Sequence, residues 1–453
     1  MKLFKSLLIV LCFLLVMPLS THADSITNEV KQYVKNEYVG NLSGNLNAAK
    51  TVEEVMRLLD VYSTHFTAAE FEEYLQSIEM TAVGIGVVIE ETAQGILITE
   101  VLKDGSADQA GLHIGDIIVK INDQSTKGMS IQDASSAILG TENTAIQVSI
   151  QRNGKIQLFT LTRKQFQVEN VSTGLLSGGV GVITLRSFSE DTIDLVKTAY
   201  TQLKKDGATS IILDIQNNGG GYVTAAEQLI GMFPKASLAY TLKTAKKTRV
   251  YSAIRQSVQF PVNTRILINR NSASASEMLA AALVDQQAAV VYGEKSYGKG
   301  TMQSFFELSD GSVLKLTIGQ FSGPKGSIIN QIGVVPTVKT ETPLITAHAD
   351  ALIEKYHHYK SLFAMKAEAN KKFTIRFNKQ LAPSQNPGAI ELIELGSNKT
   401  IDYTLQQQDK QLILTPKEPL RSKGQYMLFI HPTVKDSKGR TLTQGSYLTI
   451  TGI

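Results

Sequence analysis

Three short segments carry residue types that together could perform acyl transfer. The first, Asn271-Ser272-Ala273-Ser274-Ala275-Ser276-Glu277, offers a hydroxyl nucleophile where the apolar run Ile266-Leu267-Ile268 gives way to a helical pattern. A serine at such a junction gains exposure, and the helix start beside it has backbone N–H groups without intrahelical acceptors, which suit a developing oxyanion. The second, Gly298-Lys299-Gly300-Thr301-Met302-Gln303, follows Val290-Val291-Tyr292. The third, Asn217-Asn218-Gly219-Gly220-Gly221, follows Ile211-Ile212-Leu213-Asp214-Ile215. All three sit after strand carboxyl ends, where α/β sheets place their sites.

The choice of base is narrow. The seven histidines are His22, His65, His113, His348, His357, His358 and His431, so none lies between 114 and 347. A Ser-His-Asp triad or a histidine-held zinc within that stretch is excluded, and lysine is the known alternative base for a serine. A free lysine, with a pKa near ~10.4, is charged at neutral pH and useless as a base; burial lowers it by disfavouring the charge. Each segment alone has an ordinary explanation. Ser274-x-x-Glu277 is a capping-box pattern. Gly298-Lys299-Gly300 reads as a solvated turn. Gly219-Gly220-Gly221 reads as a flexible loop, and not a phosphate loop, since no Gly-Lys-Ser/Thr follows.

The elements that must position these residues follow from patterning. The 453 residues are 43% hydrophobic and 19% charged with a net charge of +4, an ordinary globular balance without a basic block for nucleic acid. Lys2 and Lys5, the apolar run from Leu7 and the small residues Thr21 and Ala23 form a signal-peptide pattern, with the mature chain expected to begin near Asp24. An uncleaved anchor is the alternative. The only cysteine, Cys12, lies inside that segment, so the expected mature chain has no thiol or disulfide, which suits a secreted, extracytoplasmic setting. Residues 24–77 read as helical, 78–165 as short β-rich runs, 166–345 as alternating apolar strands and helices with a mostly parallel sheet, 346–370 as a helical linker, and 371–453 as all-β. The expected fold class is therefore multidomain, α/β and β. Helical stretches at 26–75 and 345–369 are candidates for pairing into a homodimer.

Two modules are recognisable by resemblance. Gly84-Ile85-Gly86-Val87, Ala110-Gly111-Leu112 and Gly115-Asp116-Ile117-Ile118 resemble a PDZ domain over 78–165. The resemblance implies that Gly84, Ile85 and Gly86 lend backbone N–H groups to a peptide's terminal carboxylate, with the peptide added as a strand. A glycine turn that merely joins two strands is the plain alternative. Phe377-Asn378-Lys379 and Val434-Lys435-Asp436-Ser437-Lys438-Gly439 resemble the start and end of bacterial Ig-like domains.

Ser-Ala-Ser-Ala-Ser-Glu, then Tyr-Gly-Lys-Gly-Thr-x-Gln, preceded by Asn-Asn-x-Gly-Gly, resembles the carboxy-terminal processing, or tail-specific, serine proteases, over roughly residues 30–345. That family implies Ser274 as nucleophile, Lys299 as general base and Gln303, at the spacing of one helical turn, as the residue orienting the lysine. It implies an oxyanion hole from the N–H of Ala275 and of Gly219 or Gly220, a supportive Asp285, and no metal or organic cofactor. Expected partners are protein or peptide substrates with exposed carboxy-terminal tails, in a bacterial cell-envelope setting. One departure is visible: the family often has arginine and proline in the stretch that here reads Gln216-Asn217-Asn218-Gly219. A non-catalytic envelope scaffold, or an adhesin with PDZ and Ig-like binding modules, is the rival reading.

Overall fold

The computed structural model describes residues 20–386 and 388–453. The targeting segment expected over 1–23 lies, up to residue 19, outside the described residues, and Ser20–Glu37 is one helix. Among the described residues no helix is long and apolar enough to cross a membrane. The chain divides into two units.

One unit joins residues up to Glu72 with Lys243–Thr248 and Thr301–Gln320. Its helix Ser20–Glu37 presents Ile26, Val30 and Val34 at four-residue spacing, and these bury with Leu46, Ala49 and Val55 against Leu308, Leu314 and Leu316. The expected helical arm is thus part of a core, and it includes a short strand, Thr64–Phe66, antiparallel to Val313–Lys315. The strand Thr301–Glu307 runs antiparallel to Val313–Gln320, with a register shift between Met302 and Gln303.

The other unit contains three domains in chain order. Residues Val87–Thr92, Gly95–Val101, Ile117–Ile121, Ala145–Arg152 and Lys155–Thr162 form an antiparallel sheet over a core of Ile85, Ile96, Ile98, Ile118, Val148 and Ile150. Asn153-Gly154, both with positive φ, make the hairpin turn between the last two strands, as their types predict. Val87–Thr92 is an edge strand of this sheet.

The α/β core has six strands: β1 (Val171–Leu176), β2 (Val180–Leu185), β3 (Ser210–Asp214), β4 (Arg265–Ile268), β5 (Val290–Gly293) and β6 (Val338–Lys339). They lie side by side in sequence order; β1–β2 is antiparallel and every later pair parallel. Helices α1 (Thr192–Lys205), α2 (Val223–Ile230) and α3 (Ala275–Asp285) fill the connections, and α4 (Pro343–Lys355) covers the other face. The strands read as apolar runs because both faces are covered. Val182, Ile212, Leu267 and Tyr292 pack towards Ala347 and Ala351 of α4, whereas Gly181 abuts Leu203 of α1.

The expected helix through Ala369 is a correction. α4 ends at Lys355, and Lys360–Ala367 is a strand that pairs parallel with Ser446–Gly452. It is the edge strand of a four-stranded sheet that, with a three-stranded sheet of Phe373–Arg376, Gln411–Pro416 and Tyr403–Gln408, sandwiches Leu392, Leu412, Leu414, Tyr426 and Leu428.

Candidate active site

The ends of β3, β4 and β5 supply three consecutive loops, and a network of hydrogen bonds binds them to one another. Ser272 and Ser276, flanking Ser274, are fully buried and committed to structure. The Ser272 hydroxyl donates to Ile215 O (2.8 Å) and accepts from Asn269 N–H (3.0 Å); the Ser276 hydroxyl donates to Asn218 O (2.9 Å). Asn218 O also accepts the N–H of Ala273 at 3.0 Å, so the β3 and β4 loops are tied on both sides of the nucleophile candidate. Ser274 alone of the three is partly exposed.

Ser274 has φ 58° and ψ −112°, a backbone conformation that non-glycine residues seldom adopt. An N-cap serine normally has extended backbone, so capping does not account for this geometry. Holding a non-glycine residue in such a conformation at a strand-to-helix turn costs about 1–3 kcal/mol.

Glu277 restrains that turn. It is fully buried, and its carboxylate accepts four hydrogen bonds: from Ser274 N–H (2.9 Å) and Lys299 N–H (2.8 Å) at Oε2, and from Gly298 N–H (2.6 Å) and the Ser296 hydroxyl (2.6 Å) at Oε1. The backbone nitrogens of Ser274 and Lys299 therefore lie no farther apart than those two Oε2 distances combined. Tyr297 N–H adds a bond to Ser272 O at 3.1 Å. Lys299 is partly buried. Glu277 entered the sequence reading as half of a capping box and as the last residue of the Ser-Ala-Ser-Ala-Ser-Glu motif; its partners at 296–299 lie too far along the chain for a local pattern to reveal.

The glycine loop is shaped for close approach. A Cβ on Gly220 would stand 2.8 Å from Ser274 Cβ and 3.0 Å from Ala275 N, and Gly220 has φ 109°, so only glycine fits. Its N–H donates to Asn218 Oδ1 at 2.9 Å. Gly219, in contrast, is exposed, and a Cβ there would meet nothing within 4 Å. Ala275 is the first residue of α3, so its N–H has no acceptor within the helix.

An amide cluster braces the loop after β3. Asn217 N–H donates to Asn269 Oδ1 (3.0 Å), and Asn217 Oδ1 accepts from Asn269 Nδ2 and Asn271 Nδ2, both at 2.9 Å. Asp214, at the end of β3, accepts Gln216 N–H at 2.9 Å; burial pushes its carboxyl up to about 6. Asp285, at the end of α3, accepts the N–H of Lys325 at 2.8 Å and so holds the 323–325 turn.

Gln303 stands on an extended strand, not one helical turn beyond Lys299, and the register shift at Met302/Gln303 redirects it as bulges do. Its amide nitrogen donates to the hydroxyls of Thr301 (3.0 Å) and Thr317 (3.1 Å). Among the described residues no group of side chains is arranged to hold a metal ion.

Gly84, Ile85 and Gly86 line a cavity of about 420 Å³ together with Leu102–Ser106 and Lys164–Gln167. The carbonyls of Ile85 and Gly86 are occupied by Ala107 N–H and Leu102 N–H, both at 2.9 Å, which pins the loop. Beside it the edge strand Val87–Thr92 leaves one side open for an added strand.

Comparison with known proteins agrees with this architecture. Residues 179–340 match peptidase family S41, 97–152 a PDZ domain and 362–450 a bacterial Ig-like domain. The chain is 32% identical over 323 residues to a "Probable CtpA-like serine protease" of Staphylococcus aureus (strain N315), covering 71% of this chain and 65% of that protein. It is 31% identical over 319 residues to the protein of the same description from Staphylococcus saprophyticus, covering 70% of this chain and 65% of that one. The chain thus spans about 65% of the length of these curated relatives. The solved "Photosystem II D1 C-terminal processing protease" aligns with a TM-score of 0.45 and 25% identity, over 73% of this chain and 96% of that one. With its three loops at the strand ends, the α/β core carries a peptidase family S41 domain over residues 179–340, with a PDZ domain before it and a bacterial Ig-like domain after it.

Proposed function

We propose that this chain is an extracytoplasmic serine endopeptidase in which Ser274 is the nucleophile and Lys299 the general base. The observation that carries the reading is the shared grip of Glu277 Oε2 on the backbone N–H groups of Ser274 and Lys299. It fixes the strained serine and the lysine relative to each other, while both neighbouring serines are spent on structure. Neutral Lys299 takes the proton from Ser274 Oγ as that oxygen attacks the scissile carbonyl. The resulting oxyanion is held by the N–H groups of Ala275 and Gly220, the latter exchanging Asn218 Oδ1 for the substrate oxygen. The lysine ammonium then protonates the leaving amine, and water, deprotonated by the same lysine, hydrolyses the acyl-enzyme. Gln303 is assigned to orienting the lysine on the motif resemblance alone.

The PDZ domain takes the carboxy-terminal tail of a substrate, its carboxylate at Gly84–Gly86 and its chain along Val87–Thr92. The extracytoplasmic setting is supported by the charged, apolar and small-residue order of the first 23 residues. Casein cleavage by purified residues 24–453, beside Ser274→Ala and Lys299→Ala, tests the assignment. Cutting by the parent and by neither variant is expected; equal cutting by all three overturns it. If none cuts, addition of carboxy-terminal peptides restores activity in a PDZ-gated protease and leaves a scaffold silent.

A further inference from the structure

A second loop lies flat along the one that carries Lys299. Gln331 N–H donates to Gly298 O (2.8 Å), Val334 N–H to Ser296 Oγ (2.6 Å), and Ser296 N–H to Val334 O (3.1 Å). The approach is so close that a Cβ on Gly300 would stand 2.4 Å from Asn330 N, and one on Gly298 3.3 Å from Ile332 N. Ile329 and Val334 are buried and anchor the loop. Three residues between and beside them face water: Ile328 is 64% exposed, Ile332 48% and Val335 63%. Tyr297, on the lysine loop itself, is 59% exposed.

Exposed apolar residues scattered singly are ordinary. These four occupy two loops hydrogen-bonded to each other, and grouped exposure of this kind marks a binding surface. From Ser327 to Pro336 the sequence holds no ionisable residue, so the loop offers no charge for recognition by ion pairing. The two loops are also tied to the candidate site. Tyr297 is two residues from Lys299, and its N–H is bonded to Ser272 O, two residues before Ser274.

Resting on the Ser274–Lys299 reading, we propose that Tyr297, Ile328, Ile332 and Val335 form a substrate-holding surface that selects extended polypeptide with bulky apolar side chains next to the scissile bond. Folded proteins hide such side chains and unfolded segments display them, so the surface favours unfolded chains independently of the carboxy-terminal tail. The more apolar area a side chain removes from water on this surface, the tighter it binds.

Binding and cleavage separate this proposal from the reading it rests on. Two fluorescent peptides share the same last four residues, so the PDZ domain meets the same tail; their internal blocks are rich in Leu, Ile and Phe, or in Ser, Asn and Gln. Anisotropy is measured on Ser274→Ala, which needs no catalysis, and on the same chain with Ile332→Gln and Val335→Gln. The apolar peptide is expected to bind about tenfold more tightly than the polar one, a ratio typical of discrimination by one or two apolar contacts. The added substitutions should bring the ratio to about twofold or less without weakening the polar peptide, and in the active chain the same loss should appear in KM. Unchanged preference in the substituted chain overturns the proposal. So does an effect traced by sedimentation to loss of a dimer, which would make the patch a contact between copies. A surviving preference for the apolar peptide with no cleavage by the parent overturns the Ser274–Lys299 reading and leaves the surface standing.

Discussion

The carboxylate of Glu277 holds the backbone of Lys299: its Oε2 accepts the Lys299 N–H at 2.8 Å while the same oxygen accepts that of Ser274 at 2.9 Å. All four hydrogen bonds to this buried group come from donors, so both oxygens must be acceptors. Glu277→Gln replaces one acceptor by an NH₂ group that meets N–H or O–H donors head on. The expected result is loss of at least about 2 kcal/mol of stability, the cost of leaving buried donors unsatisfied, and a fall in kcat far larger than any change in KM. Thermal unfolding and steady-state kinetics on the same preparation check it. Full kcat with lowered stability would mean that Glu277 holds the fold and not the relation of serine to lysine.

The α/β core was legible because parallel strands covered on both faces are written as apolar runs, of which the strand Val180–Leu185 is one. The loops bearing Gly219, Ser274 and Lys299 follow those runs directly, so the place of the candidate residues at the strand ends was legible too. What the sequence hid is non-local. Lys360–Ala367 has apolar residues at spacings that continue the helix before it, yet pairing with Ser446–Gly452 draws it into a sheet. Residue 303 lies four positions from 299 in sequence, but the segment is extended, through pairing with Val313–Gln320. Glu277 shows its local role, the bond to Ser274 N–H, while three of its four partners lie 19 to 22 residues away.

The two glycines offered as oxyanion donors are separable. Gly220 packs against Ser274 and Ala275 N, whereas Gly219 is exposed, with neither of them within 4 Å of where its Cβ would stand. Gly219→Pro removes an N–H outright, and the family pattern often carries proline here. Activity within about threefold of the parent is expected if Gly220 is the donor. A drop of about 10²–10³ in kcat, the usual cost of one lost donor, in a chain with unchanged melting temperature would move the role to Gly219.

Asp214 carries a burial cost. Its carboxyl is pushed up to about 6 from an ordinary value of 3.8 because burial disfavours the charge, only partly offset by Gln216 N–H. The native state therefore binds more protons than the unfolded chain between those values, so this group's contribution to stability is greatest below about 4 and declines as pH rises through 6. Asp214→Asn keeps an oxygen for Gln216 N–H and removes the charge. At pH 8 it should be the more stable chain by up to about 3 kcal/mol, the equivalent of a two-unit shift, with no gain at pH 4. Denaturant melts at both pH values decide it, and equal stability at pH 8 would mean that another group already compensates the carboxylate.

His348 makes the opposite pH prediction. It is fully buried on α4, where its Nδ1 accepts the N–H of Gly396 at 2.9 Å and its Nε2–H donates to Ser177 O at 2.8 Å. That pattern requires the neutral ring, because protonation of Nδ1 would turn two donors against each other. Burial lowers its pKa below the ordinary 6.5. The unfolded chain then binds the proton first as pH falls below 6.5, so native stability is whole above that value and declines on acidification. The bond to Gly396 joins the α/β core to the Ig-like domain, so weakening should show there. The melting temperature of the parent should fall between pH 7.5 and 5.5. His348→Gln, whose amide offers one donor and one acceptor without titrating, should melt lower at pH 7.5 and lose less between the two values. Limited proteolysis at the two pH values would locate the loss: the parent should gain cleavage near residues 396–399 at pH 5.5, and the variant should be cut there to the same extent at both. A parent whose stability is flat across that range, or a variant with the parent's full acid dependence, would place the titrating group elsewhere.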